Sequence, residues 1–172
     1  MKVFRTRLAA MATILSFAAG GASPLQSQVV NPFPAAEAPG ERDDTAQELA
    51  NKRVVLEYYH AANNTKDFAA ASRFAVPGVK LHDPEIPDGT EGLQARLQTL
   101  KERYPNARRE VKRVLTSGDH VFVHAHAVQT PGTVGFIAGD IFRLENGKIV
   151  EQWSVLHPVP EKPHPDNHNG PF

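Results

Sequence analysis

Between Thr45 and Tyr104 the apolar residues recur every three or four positions, and from Arg108 onward they alternate, so the chain passes from helix period to strand period midway. Thr45 and Glu48 have capping-box spacing, and Ala50, Val54, Tyr58, Ala61 and Ala62 mark one helical face as far as Asn63-Asn64. A second, short helix is expected over 66–74, stopped by Pro77-Gly78. Residues 79–82 are a short extended piece leading into the loop HDPEIPDGTEG; then Leu93, Leu97, Leu100 and Tyr104 stripe a third helix that Pro105 ends. Strand-like runs follow over 108–115, 121–128, 134–144 and 148–156, with turns at Ser117-Gly118-Asp119, Pro131-Gly132 and Asn146-Gly147. Helices first and antiparallel strands later predict an α+β domain in which a curved sheet covers N-terminal helices and leaves a conical pocket.

The stretch Thr133–His157 carries the sharpest chemical clue. Alternation puts Phe136, Ala138, Asp140 and Phe142 on one face of their strand, with Ile137, Ile141 and Arg143 on the other. An acid is thus expected against an apolar wall, and a carboxyl group desolvated in that way suits proton uptake and return near neutral pH. Its neighbours depend on the turn. A two-residue Asn146-Gly147 turn pairs Asp140 with Trp153, whereas a three-residue loop with a bulge at Gly147 pairs it with Gln152. The bulged register is preferred, because it brings Val150, Gln152, Ser154 and Leu156 to the Asp140 face and sends Trp153 and Ile149 with Ile141 to the packing face.

Histidines supply the other candidates. His124 and His126 share one strand face with Phe122 and suit proton transfer, ligand hydrogen bonding or a plain core role. With His82, at the mouth of the HDPEIPDG loop, they would complete a three-histidine metal site, the less favoured alternative. The spacing from Gly118 to His124-Ala125-His126 matches the opening of a cupin metal motif but lacks its glutamate, and a helix-first order is wrong for a jelly roll. His164 and His168 flank Pro165, which forbids a shared helix, and His60 and His120 read as surface or helix-end residues.

Composition narrows the classes. The chain has 172 residues and 41% hydrophobic content, enough for one domain with a core, and no cysteine, so no disulfide or lipid-attachment cysteine contributes. Residues 1–22 have a basic start, an apolar run and small residues at the end, the pattern of a secretory signal peptide, and the run is shorter than the roughly 20 apolar residues of a membrane span. Periplasmic or secreted placement is therefore expected. Removing that segment leaves 16 basic and 19 acidic groups, with no basic stripe for nucleic acid. The expected organisation is a signal peptide over 1–22, a flexible leader over 23–43, the domain over 44–157 and a Pro-rich extended arm over 158–172.

The segments DGTEGLQARLQTLKERYP, GDHVFVHAHAVQTPG and GDIFRLENGKIVEQW, with the ending HPVPE…NGPF, resemble the SnoaL-like polyketide cyclases of the nuclear transport factor 2-like superfamily, and more narrowly the branch labelled predicted aldol-condensation enzymes. The resemblance implies a cone-shaped α+β barrel, commonly a homodimer through its outer sheet face, with an interior cavity for a carbonyl compound. It implies an acid/base aspartate at Asp140 with His126 nearby, and His82 at the family's HNP segment, which reads HDP here. Many relatives read EHWD where this chain has Glu151-Gln152-Trp153-Ser154.

Residues and resemblance together lead to a cofactor-independent enzyme acting on a small carbonyl compound. Asp140 would remove a proton alpha to the carbonyl, and His126 or His124 would donate to the enolate oxygen. Gln152, Ser154, His82, Phe122, Phe136 and Phe142 would contact the ligand, and no metal is required. The alternative is a non-catalytic periplasmic binder of a small apolar ligand. Neither reading involves nucleic acid, or a membrane once the signal is removed.

Overall fold

The computed structural model describes residues 43–162 and 164–172, all within one compact unit, Glu41–Phe172. The expected signal segment, and the expected leader apart from Asp43, lie outside the described residues.

Helix α1, Ala46–His60, begins at the capping box: the Thr45 hydroxyl accepts from the Glu48 amide at 3.2 Å, and the Glu48 carboxylate accepts from the Thr45 amide at 2.8 Å. Its buried face is Glu48, Asn51, Val55, Tyr58 and Tyr59. That stripe is rotated from the expected one, which included Ala50, because two polar residues are turned inward. Glu48 accepts from the Gly118 amide at 2.8 Å, and Asn51 donates to the Gly118 carbonyl at 3.2 Å. The first turns of α1 are thereby fixed to a turn of the sheet.

After His60 the helix widens into a π turn, Ala61–Thr65, which ends at Lys66 with φ 53°. The short helix α2, Phe68–Ala71, and a 3₁₀ turn, Ser72–Phe74, lead into β1, Ala75–His82. Helix α3 spans Gly89–Arg103 and buries Gly92, Leu93 and Leu97. Four strands follow: β2 Arg108–Ser117, β3 His120–Val128, β4 Phe136–Glu145 and β5 Lys148–Pro158. The sheet order is β1-β5-β4-β3-β2, antiparallel except for the parallel β1–β5 pair. It is an open five-stranded sheet, not one closed into a barrel.

The β4–β5 register decides what faces inward. Asn146 and Gly147 both have positive φ, 50° and 73°, and Glu145 pairs with Lys148, so the hairpin closes with a two-residue turn rather than the expected three-residue loop. A bulge then shifts the register between Arg143 and Leu144: Leu144 pairs with Ile149 but Arg143 pairs with Glu151. Asp140 consequently lies opposite Ser154, one residue from the expected Trp153 register and two from the preferred Gln152 register. Gln152 and Ser154 do share the inner face with Asp140, while Ile149, expected on the outer face, is fully buried beside Leu144.

The core between helices and sheet contains Val55, Tyr58, Tyr59, Leu93, Leu97, Val121, Val123, Ala138, Phe142 and Ile149. Each large aliphatic or aromatic side chain buried there stabilises the fold by about 1.5–3 kcal/mol. Phe142 takes the edges of both tyrosines, with ring centroids 5.7 and 6.3 Å away.

The loop over 83–88 is seated on α3 through a glycine. A Cβ on Gly92 would lie 1.7 Å from the Pro87 carbonyl oxygen, so only glycine permits this approach. Gly92→Ala is expected to displace the loop and destabilise the protein by roughly 1–3 kcal/mol. Thermal unfolding of the two proteins checks this, and an unchanged melting temperature would refute the contact.

Candidate functional site

Asp140, at the middle of β4, is completely buried, but its surroundings are not the apolar wall expected from alternation. Tyr59 of α1 donates to Oδ2 at 2.7 Å, Arg109 of β2 donates to the same oxygen at 2.7 Å, and Ser154 of β5 donates to Oδ1. Arg109 also reaches the Tyr59 oxygen at 3.2 Å, so carboxylate, phenol and guanidinium form a closed triangle. The chain of donors continues outward: Gln152 Nε2 donates to Ser154 Oγ at 3.2 Å, and Tyr58 donates to Gln152 Oε1 at 2.8 Å. All six residues project from the inner sheet face or from the buried face of α1.

The π turn places the cationic side of this cluster. Asn64 brackets the backbone of Arg109, accepting from its amide at 2.7 Å and donating to its carbonyl at 3.1 Å. Lys66 donates to the Ala107 carbonyl at 2.6 Å, securing the same strand entrance. Asn63, one residue earlier, accepts from Nη2 of Arg96 on α3 at 3.2 Å. A single irregular turn therefore holds both arginines of the interior.

Burial and charge set the proton affinities. Desolvation pushes the Tyr58 phenol up to about 12, and burial together with the Asp140 carboxylate raises Tyr59 further. Burial works against the charge of Arg109, yet Asp140 and then Tyr59 more than restore it, so its affinity ends above the ordinary arginine value. Arg96 moves the other way, lowered by burial and next by the neighbouring cation of Arg109.

The histidines do not join this cluster. Val123, not a histidine, pairs with Asp140; His124 pairs with Gly139 and His126 with Ile137, on the outer face of the sheet. The inward positions of β3 are Val121, Val123, Ala125 and Ala127, so one step of alternation separates the expected His126–Asp140 pair. His126 instead donates to the Val134 carbonyl at 2.8 Å, and its ring and that of His124 lie 4.5 and 5.7 Å from Phe172. His82 also lies outside, stacked on Trp153 at 4.4 Å and bonded to Glu151 at 3.1 Å. Phe122 packs over Gly139 on that face, which removes it from the pocket, whereas Phe136 and Phe142 belong to the core side. Among the described residues no group of three or more metal-ligating side chains converges, so the three-histidine arrangement is not formed.

Sequence reasoning therefore missed Tyr58, Tyr59, Arg96, Arg109, Asn63 and Asn64. Tyr58 stood in the expected apolar stripe of α1, and Tyr59, next to it on the same helix, was not singled out. Nothing in the local pattern distinguishes Arg96 or Arg109 from solvated cations.

The space left around the cluster is small. A void of about 10 Å³ is lined by Leu81, His82, Asp83, Ile86, Arg96, Gln152 and Ser154, and another of about 30 Å³ is bordered by Asn63, Leu100, Arg109, Ala127 and Leu156 among others. The first is room for about one water.

The family model for a SnoaL-like domain matches residues 55–152, a span that includes Tyr58, Tyr59, Arg96, Arg109, Asp140 and Gln152. No curated protein matches the chain. Among solved structures, a candidate polyketide cyclase from Bacillus cereus ATCC 10987 is 23% identical, with 62% of this chain and 74% of that chain covered and a TM-score of 0.56. A candidate SnoaL-like polyketide cyclase from Jannaschia sp. CCS1 is 22% identical over 67% and 90%, with a TM-score of 0.57. An NTF2-like protein from Cytophaga hutchinsonii ATCC 33406 is 20% identical over 69% and 96%, with a TM-score of 0.53. At these identities the likeness establishes the α+β fold.

The raised phenols predict a base-labile protein. Below pH ~10 both states hold Tyr58 neutral; above it only the unfolded chain ionises, so stability is lost as pH rises from ~10 through 12, by about 3 kcal/mol for Tyr58 alone. In an alkaline titration the phenolate absorbance of this residue should appear together with loss of near-ultraviolet circular dichroism. Tyr58→Phe should unfold more easily at pH 7, by about 1 kcal/mol for its lost hydrogen bond, but decline less steeply above pH ~10. Equal slopes for the two proteins would contradict the assignment.

Proposed function

Because the chain belongs to the SnoaL-like domain family, we propose that it binds a small carbonyl compound between helices and sheet and performs cofactor-independent acid/base chemistry on it. The observation that carries this reading is the Asp140 carboxylate, fully buried, with an anchored side and an exchangeable side. Oδ2 is held by Tyr59 and Arg109, while Oδ1 is held by a hydroxyl that has a second partner in Gln152.

Rotation of Ser154 toward Gln152 frees Oδ1 without disturbing the ion pair. Oδ1 then removes the proton alpha to the substrate carbonyl and becomes the acid that returns it, to the same skeleton in an isomerisation or to the new alkoxide in an aldol closure. Tyr59 and Arg109 take the role first expected of the histidines, since a phenol and a guanidinium are the donors nearest to where an enolate oxygen would form. Gln152 orients the substrate. Entry requires the two voids to widen, because together they hold far less than a drug-sized ligand.

The alternative, a binding protein, is favoured by one specific observation: three donors on Asp140 already suffice to explain its burial as a structural ion pair. We also infer pairing of two copies through the outer sheet face. There Leu115, Phe122, Ile141 and Trp153 form one register row across β2, β3, β4 and β5, with Leu115 63% and neighbouring Val155 68% exposed.

A thermal-shift screen of polycyclic ketones, β-keto esters and steroids, run on the wild type and Asp140→Asn, tests the enzyme. A ligand that stabilises both proteins and is converted by the wild type alone supports catalysis by Asp140, with turnover lowered by at least ~10²-fold in the variant. If both bind and neither converts the ligand, the binding reading replaces it. For the assembly, Leu115→Asp is expected to turn a sedimenting dimer into a monomer; a monomeric wild type would dismiss the pairing.

A further inference from the structure

Around Asp140 two guanidiniums, Arg96 and Arg109, approach a single fully buried carboxylate. Arg109 is matched by Asp140, but Arg96 has no such partner: Asn63, a neutral amide, accepts from its Nη2, and its Nη1 is buried without any hydrogen-bond partner. It is the unsatisfied buried side-chain nitrogen or oxygen found among the described residues. Two acids act on Arg96: first Asp140, already paired with Arg109, and then Asp83 in the loop over 83–88, whose Oδ1 accepts from the Glu85 amide at 3.0 Å. A guanidinium N–H buried without an acceptor is unfavourable, so a fold that keeps one has a use for it or a partner yet to come.

The void beside it indicates the partner. Arg96 lines the same small space as Gln152 and Ser154, the residues that flank the exchangeable oxygen of Asp140. An anion there would take the free Nη1 and neutralise the surplus charge, next to the carboxylate that removes the proton. We propose that Arg96 is an anion subsite and that the substrate is a keto acid, whose carboxylate binds Arg96 while its carbonyl lies toward Arg109 and Tyr59. A planar guanidinium suits a carboxylate, which accepts from Nη1 and is positioned without competing for the Asp140 ion pair. Asp83 and Ile86 of the loop over 83–88 line the same void, so that loop is the part of the wall that yields on entry. This proposal rests on the carbonyl-binding reading and narrows its substrate class.

The test compares 3-benzoylpropionate with its methyl ester, and levulinate with methyl levulinate, by calorimetric titration of wild type, Arg96→Met and Arg96→Lys. The wild type should bind each acid about tenfold or more tightly than its ester. Arg96→Met should lose that preference, to within about twofold, chiefly through weaker binding of the acid, and Arg96→Lys should keep part of it. Arg96→Met should also melt no lower than the wild type, because a buried unpaired cation has been removed. A wild type that binds acid and ester equally, or an Arg96→Met protein that retains the preference, overturns the subsite. Silence toward both members of each pair at millimolar concentration overturns it too; if neutral ketones still bind in the wider screen, the carbonyl-binding reading survives its loss. The wild-type comparison needs no variant and so holds even if Arg96→Met fails to fold.

Discussion

A buried ion pair between Asp140 and Arg109 is the constraint to which the rest of the domain is fitted. Bringing both charges out of water costs more than their attraction returns unless every remaining lone pair and proton is also satisfied. Here that requirement recruits α1 through Tyr59, β5 through Ser154, and the π turn through Asn64. Helix, sheet and connecting turn are therefore bound together by a polar centre, around which Phe142, Val123 and Leu97 pack. An apolar core of the same volume would be no less stable, so the ion pair argues for chemistry at this position more than for stability.

The π turn explains how the pair is held to such close distances. A regular helix continued past His60 would carry Asn63 and Asn64 at different angles; widening by one residue lets Asn63 reach α3 and Asn64 reach β2. Asn64 pairs with backbone, so Arg109 is positioned at its main chain while Asp140 and Tyr59 hold its tip. The capping box at the other end of α1 does the same for the opposite side of the sheet, since Glu48 serves both the helix start and the Gly118 turn. With both ends fixed, Tyr58 and Tyr59 have little room to be anywhere but over Phe142.

Much of the fold was legible in the chain because its signals are local. The Thr45-Glu48 cap, the Pro105 stop and the alternation of β3 and β4 each depend on neighbouring residues and stand where the periodicity put them, and the Asn146-Gly147 turn stands at its expected place although it closes with two residues, not three. The site was legible only in part. Asp140 could be placed on an inner face by alternation, but its partners come from residues 31 and 81 positions away, and no period connects Tyr59 or Arg109 to it. The histidines misled for the complementary reason. Their shared face was correctly read from spacing, yet spacing does not say which of two faces is the inner one; the smaller, more apolar set of Val121, Val123, Ala125 and Ala127 settles that in favour of the core.

One inserted residue decides the chemistry of β5. With the Asn146-Gly147 turn alone, Asp140 would oppose Trp153, and an indole would fill the space where Gln152 and Ser154 now stand. The bulge at Ile149-Val150 advances the strand by one position, which at a period of two exchanges the faces of everything beyond it. Trp153 is turned outward to stack on His82, Glu151 is turned toward Arg143, and the two small polar residues reach the carboxylate. The bulge lies next to the turn, where strain and twist are already concentrated, so the exchange costs no ladder hydrogen bond in the middle of the sheet. It follows that the polar lining of the interior is set as much by a backbone irregularity as by side-chain identity. A relative that lacked the bulge would present a different pocket even with the same residues at every position of β5.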